Sequence, residues 1–194
     1  MTLADRLTLF RVVLTPLFFT VYLLPAQFMG NVAWVALLWV IFIVSEITDM
    51  LDGMAARRLN QTSDFGRLFD PFADTLMQIT CFLCFVIDGI LPAALFLVVV
   101  YREFGILFIR NLMLKKGIAM GARIGGKIKT VTYITAAATA LLYASLRRLD
   151  IAGALQPVFR IAAIAVFSVS VLFSVLSFID YVSVYRRASA SPDK

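Results

Sequence analysis

The chain of 194 residues contains no histidine and only two cysteines, Cys81 and Cys84. The first absence excludes imidazole metal sites, serine–histidine triads and histidine acid–base catalysis. The cysteines form a C-x-x-C inside an apolar run, QITCFLCFVI. A redox or zinc role needs an exposed thiolate, so these are read as small apolar residues at a helix interface. Charge is scarce too: 15% of residues are charged and only twelve are acidic, against 61% hydrophobic. With a mean hydropathy of +0.92, the composition is that of an integral membrane protein. A basic surface interleaved with aromatics is also lacking, which excludes nucleic acid as a partner. The net charge of +6 lies beside apolar runs, where anionic lipid head groups and phosphate substrates are the nearer partners.

What the sequence does have is six apolar runs, about Val12–Phe28, Val32–Thr48, Thr75–Ile87, Leu91–Met113, Ile128–Leu146 and Val158–Tyr185. Lipid leaves a backbone no partner but itself, so each is expected to be a transmembrane helix, and the short third one should begin earlier in the sequence. The expected architecture is all-α and polytopic, one six-helix domain over residues 1–187 with a short polar tail, 188–194. Fourteen lysines and arginines fall on one side of this arrangement, whereas only Arg147, Arg148 and Arg160 fall on the other. The positive-inside rule then puts both termini in the cytoplasm. The first run is too long for a signal-peptide core and is expected to remain as an anchor.

Five of the twelve acids, Asp49, Asp52, Asp64, Asp70 and Asp74, crowd into one stretch of 26 residues, DMLDGMAARRLNQTSDFGRLFDPFAD. On a helix Asp49, Asp52, Gly53 and Ala56 share one face at i, i+3, i+4 and i+7, with Arg57 one turn beyond Gly53. Gly66, Asp70 and Asp74 form a second line at i, i+4 and i+8. Two helices thus each offer a pair of carboxylates, whose mutual repulsion a bound divalent cation would resolve, and oxygen-only ligands suit magnesium or manganese. Pro71 implies that a helix through Asp70 starts there or kinks. Glu46, one turn before Asp49, suits a supporting role beside the metal better than ligation.

The pattern D-x-x-D-G-x-x-A-R, eight residues, G-x-x-x-D-x-x-x-D resembles the signature of the CDP-alcohol phosphotransferases at every fixed position. The resemblance implies a membrane enzyme that transfers the phosphoryl-linked group of a CDP-activated lipid to an alcohol and releases CMP. It implies two metal ions on Asp49, Asp52, Asp70 and Asp74, with Asp74 also taking the alcohol proton. Gly53, Ala56, Arg57, Ser63 and Gly66 would receive CDP-diacylglycerol, although Ser63 could equally serve only as a helix cap. A homodimer is implied as well. Two further segments, L-T-x-x-R-x-x-x-x-P through Thr8, Arg11 and Pro16, and G-K-I-K-T from Gly126, resemble phosphatidylglycerophosphate synthases, which points to glycerol 3-phosphate as acceptor. Tyr101 stands where those enzymes carry a small residue before Arg102. Cardiolipin synthases and phosphatidylinositol phosphate synthases are the neighbouring alternatives. A metal transporter is the alternative outside enzymes, but transport acids normally sit at mid-membrane on broken helices.

Three features stay open at this level. Arg11 is either an anchor reaching the interface or part of the pocket. Arg102 and Glu103, deep in an apolar run, are either functional or a mutual ion pair. Of the cytoplasmic cations, Arg110, Lys127 and Lys129, with Arg102, are the candidates for the acceptor phosphate; topology and lipid head groups account for Lys115 and Lys116. Lys127 and Lys129 can share that phosphate only if their segment is a loop, because i and i+2 face apart on a helix.

Overall fold

The computed structural model describes residues 3–24, 28, 30–59, 64–115, 124–151 and 153–190. These residues form six long helices: α1 (Leu3–Leu23), α2 (Asn31–Leu59), α3 (Asp64–Ile87), α4 (Ala93–Lys115), α5 (Ile124–Arg148) and α6 (Gln156–Ala190). A single 3₁₀ turn, Gly153–Leu155, leads into α6. The breaks follow local chemistry. Gly30 (φ 77°) precedes α2 and Gly89 (φ 69°) follows α3, both in the left-handed region where glycine is unstrained. Pro92 stands just before α4, and Pro157 is the second residue of α6, where its missing amide costs no intrahelical bond.

Helix α3 begins at Asp64, inside the acidic stretch, so the short third apolar run gains its length as expected. Pro71 lies within α3, so Asp70 is not its first residue as that proline would have suggested. One proline removes one hydrogen bond, that to the carbonyl of Arg67, and the loss falls near the end of the helix rather than in its apolar body.

Among the described residues, four segments are long and apolar enough to cross a membrane: Asp5–Leu23, Asn31–Leu51, Phe69–Ile87 and Gly153–Arg187. The other two helices are long but more polar. Helix α4 carries Arg102, Glu103 and Arg110, and α5 is rich in threonine and alanine.

Helix α1 packs against both α2 and α3, while α6 packs most extensively on α5 and also on α4. The apolar core runs through all of them, with Phe18, Leu38, Phe82, Leu141 and Phe167 almost fully enclosed. Cys81 and Cys84 are buried free thiols within it, as their apolar setting predicted. Ala136, Ala140 and Ala144 make a small-residue line along α5 and bring α6 close. Large apolar side chains such as Val13, Phe108, Val131 and Ile161 instead point outward, the arrangement of a bundle whose solvent is lipid. The polar exceptions, Thr8, Arg11, Ser45, Arg102, Glu103 and Lys129, are buried, and they mark out one end of the bundle.

Candidate active site

The packing of α1 against α2 and α3 brings three of the predicted acids together. Arg11, buried to 2% exposure, places Nη1 2.7 Å from Asp49 Oδ1 and pairs the same nitrogen with Asp74 Oδ1. One turn earlier on α1, Thr8 donates its hydroxyl to Asp70 Oδ1 at 2.5 Å. Thr15 closes this face of α1 by donating to the Arg11 carbonyl at 3.0 Å. Arg11 is therefore part of the site and not an interface anchor. Asp49 and Asp74 keep more than a third of their side-chain surface, and both open into a cavity of about 270 Å³.

The same cavity is also lined by charged residues of α4 and α5. Glu103 on α4 accepts from Arg102 Nη1 at 2.7 Å and lies 3.0 Å from Lys129 Nζ, all three side chains being at least nine-tenths buried. Arg102 spends its other donors on α6, Nε on the Ser174 carbonyl at 3.2 Å and Nη2 on Ser177 Oγ at 3.3 Å. Lys129 also donates to Gln78 Oε1 at 2.8 Å and lies over the Tyr133 ring. Arg110 is held more lightly. Its Nη2 donates to the Tyr181 hydroxyl at 3.3 Å, while its buried Nε has no hydrogen-bond partner among the described residues. The acids Glu46, Asp49 and Asp74 and the bases Arg102, Arg110 and Lys129 thus face a single chamber.

A single chamber lined by both acids and bases suits a substrate pair carrying a pyrophosphate and a phosphate. Comparison with known proteins agrees: the profile of the CDP-alcohol phosphatidyltransferase family matches residues 1–176. The chain belongs to that family. It is 36% identical over 194 residues to a CDP-diacylglycerol–glycerol-3-phosphate 3-phosphatidyltransferase of Treponema pallidum, covering 95% of this chain and 89% of the relative. A Bacillus subtilis protein of the same name is 33% identical over 149 residues, 73% of this chain and 77% of its own. A probable phosphatidylglycerophosphate synthase of Mycobacterium tuberculosis is 32% identical over 184 residues, 93% of this chain and 80% of its own.

The CDP-alcohol phosphatidyltransferase motif is distributed over α2 and α3. Helix α2 continues to Leu59, so Asp49, Asp52, Gly53, Ala56 and Arg57 do have the helical spacing expected. The side chains of Asp52, Ala56 and Arg57 and the surroundings of Gly53 lie outside the described residues, as does Ser63 entirely. Gly66 is buried, one turn before Asp70. Among the described residues no group of three or more histidine, cysteine or acidic side chains is disposed to hold a metal by itself. The basic segment departs from the expectation that Lys127 and Lys129 could act together. Helix α5 starts at Ile124, so both positions lie on regular helix and the loop that joint action required is not there; Lys129 lines the chamber and the Lys127 side chain lies outside the described residues. Arg102 and Glu103 do form the ion pair that was one of their two readings, and Lys129 shares it. Among the lining residues that had not been singled out, Gln78 and Tyr181 hydrogen-bond to the chamber's cations. Gln78 continues the Asp70, Asp74 line by one more turn, a signal present in the sequence, whereas Tyr181 had no such cue beyond its neighbour Asp180.

Proposed function

We propose that this membrane protein transfers the phosphatidyl group of CDP-diacylglycerol to glycerol 3-phosphate, giving phosphatidylglycerol phosphate and CMP. The observation that carries the reading is the single chamber lined by Asp49 and Asp74 together with Arg110 and Lys129. The relatives' names, shared over most of the chain, support the acceptor.

The donor set fits a hard divalent cation. Asp49 and Asp74, from different helices, converge closely enough to share one Arg11 nitrogen, and every candidate ligand is a carboxylate. Asp49, Asp52, Asp70 and Asp74 would hold the ions, magnesium or manganese and two in number. When bound, they supply charge neutralisation to the pyrophosphate and to the departing CMP. The chain's own residues do the rest. Asp74 accepts the proton from the acceptor hydroxyl, whose oxygen attacks the lipid-bearing phosphorus. The bond from that phosphorus to the bridging oxygen breaks, and CMP leaves with the electron pair. Gly53 and Ala56 allow close approach of the nucleotide, Gly66 does the same from α3, and Arg57 and Ser63 contact it. Arg110 and Lys129 bind the acceptor phosphate; Arg102, already committed to Glu103 and α6, holds the wall in place.

Because Arg11 already pairs with both Asp49 and Asp74, chelation should stop turnover while leaving the melting temperature in mild detergent almost unchanged. A large drop in melting temperature with chelator would mean that the ion is structural. The acceptor assignment is tested with labelled glycerol 3-phosphate. Arg110→Gln should raise its KM by roughly 10- to 100-fold, the value of one charge-assisted hydrogen bond, and barely move that for CDP-diacylglycerol. Far better turnover with phosphatidylglycerol or inositol phosphate as acceptor would overturn the proposal.

All six helices span the membrane in this reading, with the chamber and both termini on the cytoplasmic face of a bacterial inner membrane. Burial of Arg102, Glu103 and Lys129 within the bundle is what makes α4 and α5 tolerable as spans. The protein assembles as a homodimer; recovery of monomers alone after cross-linking in mild detergent would contradict this.

A further inference from the structure

A second cavity, of about 450 Å³, opens at the far end of the bundle, lined by Tyr22, Asn31, Trp34, Asp88, Arg147 and Arg148 among others. Along α5, Arg147 is eighteen residues from Lys129, about 27 Å of helix and close to the ~30 Å thickness of hydrocarbon. The cavity therefore belongs to the opposite membrane interface from the chamber. It gathers two of the three cations that the charge distribution leaves on that face, and the third, Arg160, donates to the Gly89 carbonyl beside it at 3.3 Å.

The partners within this cavity are unevenly satisfied. Asp88 uses one oxygen, Oδ2, both to pair with Arg147 and to accept from the Tyr22 hydroxyl at 2.9 Å. Trp34 spends its indole N–H on the Tyr22 carbonyl at 3.2 Å, so its ring serves as a wall. Over that wall, 4.7 Å from the ring centroid, lies the Arg148 guanidinium. Arg148 gives Nη2 to the Leu24 carbonyl at 3.0 Å, but its buried Nε has no hydrogen-bond partner among the described residues. Two arginines against one acid leave the lining positive, and a guanidinium laid on an aromatic face at the cavity is a phosphate-binding arrangement. Asn31 adds an amide where α2 begins, the end of a helix that favours anions.

We infer that this cavity binds a phosphate group, held chiefly by Arg148, either on an anionic phospholipid of the leaflet opposite the active site or as free phosphate. Native mass spectrometry of the full chain tests this with dioleoylphosphatidylglycerol, dioleoylphosphatidylcholine and inorganic phosphate as probes. The measurement is made in the Asp70→Asn background as well, so that lipid held at the active site is recognised. The anionic lipid should be retained in both backgrounds, and Arg148→Gln should weaken it by about tenfold or more. Asn31→Asp supplies a second variant: an acid suits a helix start, so the fold is kept while the cavity loses positive charge. It too should weaken binding. Retention of inorganic phosphate, lost in the same variants, with no preference for the anionic lipid would assign the site to free phosphate. Equal retention of every probe by the parent chain and both variants, or loss of the lipid in Asp70→Asn alone, would overturn the inference.

Discussion

Asp70→Asn is expected to lower turnover by about a thousandfold or more, because a lost metal ligand forfeits several kcal/mol of charge stabilisation at the reacting phosphate. The fold should survive. Asparagine keeps the volume and an oxygen that can still accept from the Thr8 hydroxyl, now at 2.5 Å from Asp70 Oδ1. Asp74→Asn should reduce turnover as severely but for a different reason, the loss of the proton acceptor. Its partner Arg11 would retain Asp49 at 2.7 Å, so the arginine is not stranded. The two variants separate in binding: manganese titration followed by electron paramagnetic resonance should weaken sharply for Asp70→Asn, whereas Asp74→Asn should still take up metal and CDP-diacylglycerol. If both variants keep near-full activity, the acids are not the reaction centre; if both lose metal equally, Asp74 is a ligand before it is a base.

For Glu103→Gln the expected loss is of stability, about 3–5 kcal/mol, because one carboxylate oxygen serves two buried cations, Arg102 and Lys129. Glutamine can still accept one hydrogen bond but brings no charge, and α4, α5 and α6 would then enclose two cations without their counter-ion. On the usual scale for a chain of this length the melting temperature should fall by about 10 °C or more. Glycerol 3-phosphate at millimolar concentration should restore part of the loss, since its phosphate would supply the missing negative charge to the same wall. Melting within about a degree of the parent chain would mean that the triad is neutralised by other groups.

How far the site could be read from the sequence depended on whether its residues lie on one helix. Asp49, Asp52, Gly53 and Ala56, and then Gly66, Asp70 and Asp74, repeat at the spacing of a helix face, so both lines were legible before any packing was known. The alternatives for Arg11 could not be separated that way, because they differ only in which side of α1 faces α3. Glu103 is similar: its pairing with Arg102 is local, but Lys129 joins it from another helix, and no spacing along the chain encodes that. The count of helices was legible from apolar runs, yet α4 falls short of a plain membrane-crossing composition for the same reason that it matters to the chamber, since it carries Arg102, Glu103 and Arg110, whereas α5 falls short through its threonines and alanines. Pro71 lies inside α3, which excludes a helix starting at Asp70, the first of the two readings that this proline allowed. The loss of one bond to Arg67 does not outweigh the packing of the rest of α3.

The guanidinium of Arg11, lying where Asp49 and Asp74 meet, bears on how the protein is made as well as on what it does. A cluster of acids that waited for an external ion would repel itself during insertion, and the newly made chain would depend on the metal supply of the cell to close its bundle. With a positive charge built into α1, which precedes α2 and α3 in the chain, that repulsion is met from inside as soon as those helices arrive. If the acids hold metal as proposed, biogenesis and metal loading would be separate events, and a cell starved of the ion is expected to accumulate intact enzyme that recovers its activity when the ion returns, without new synthesis.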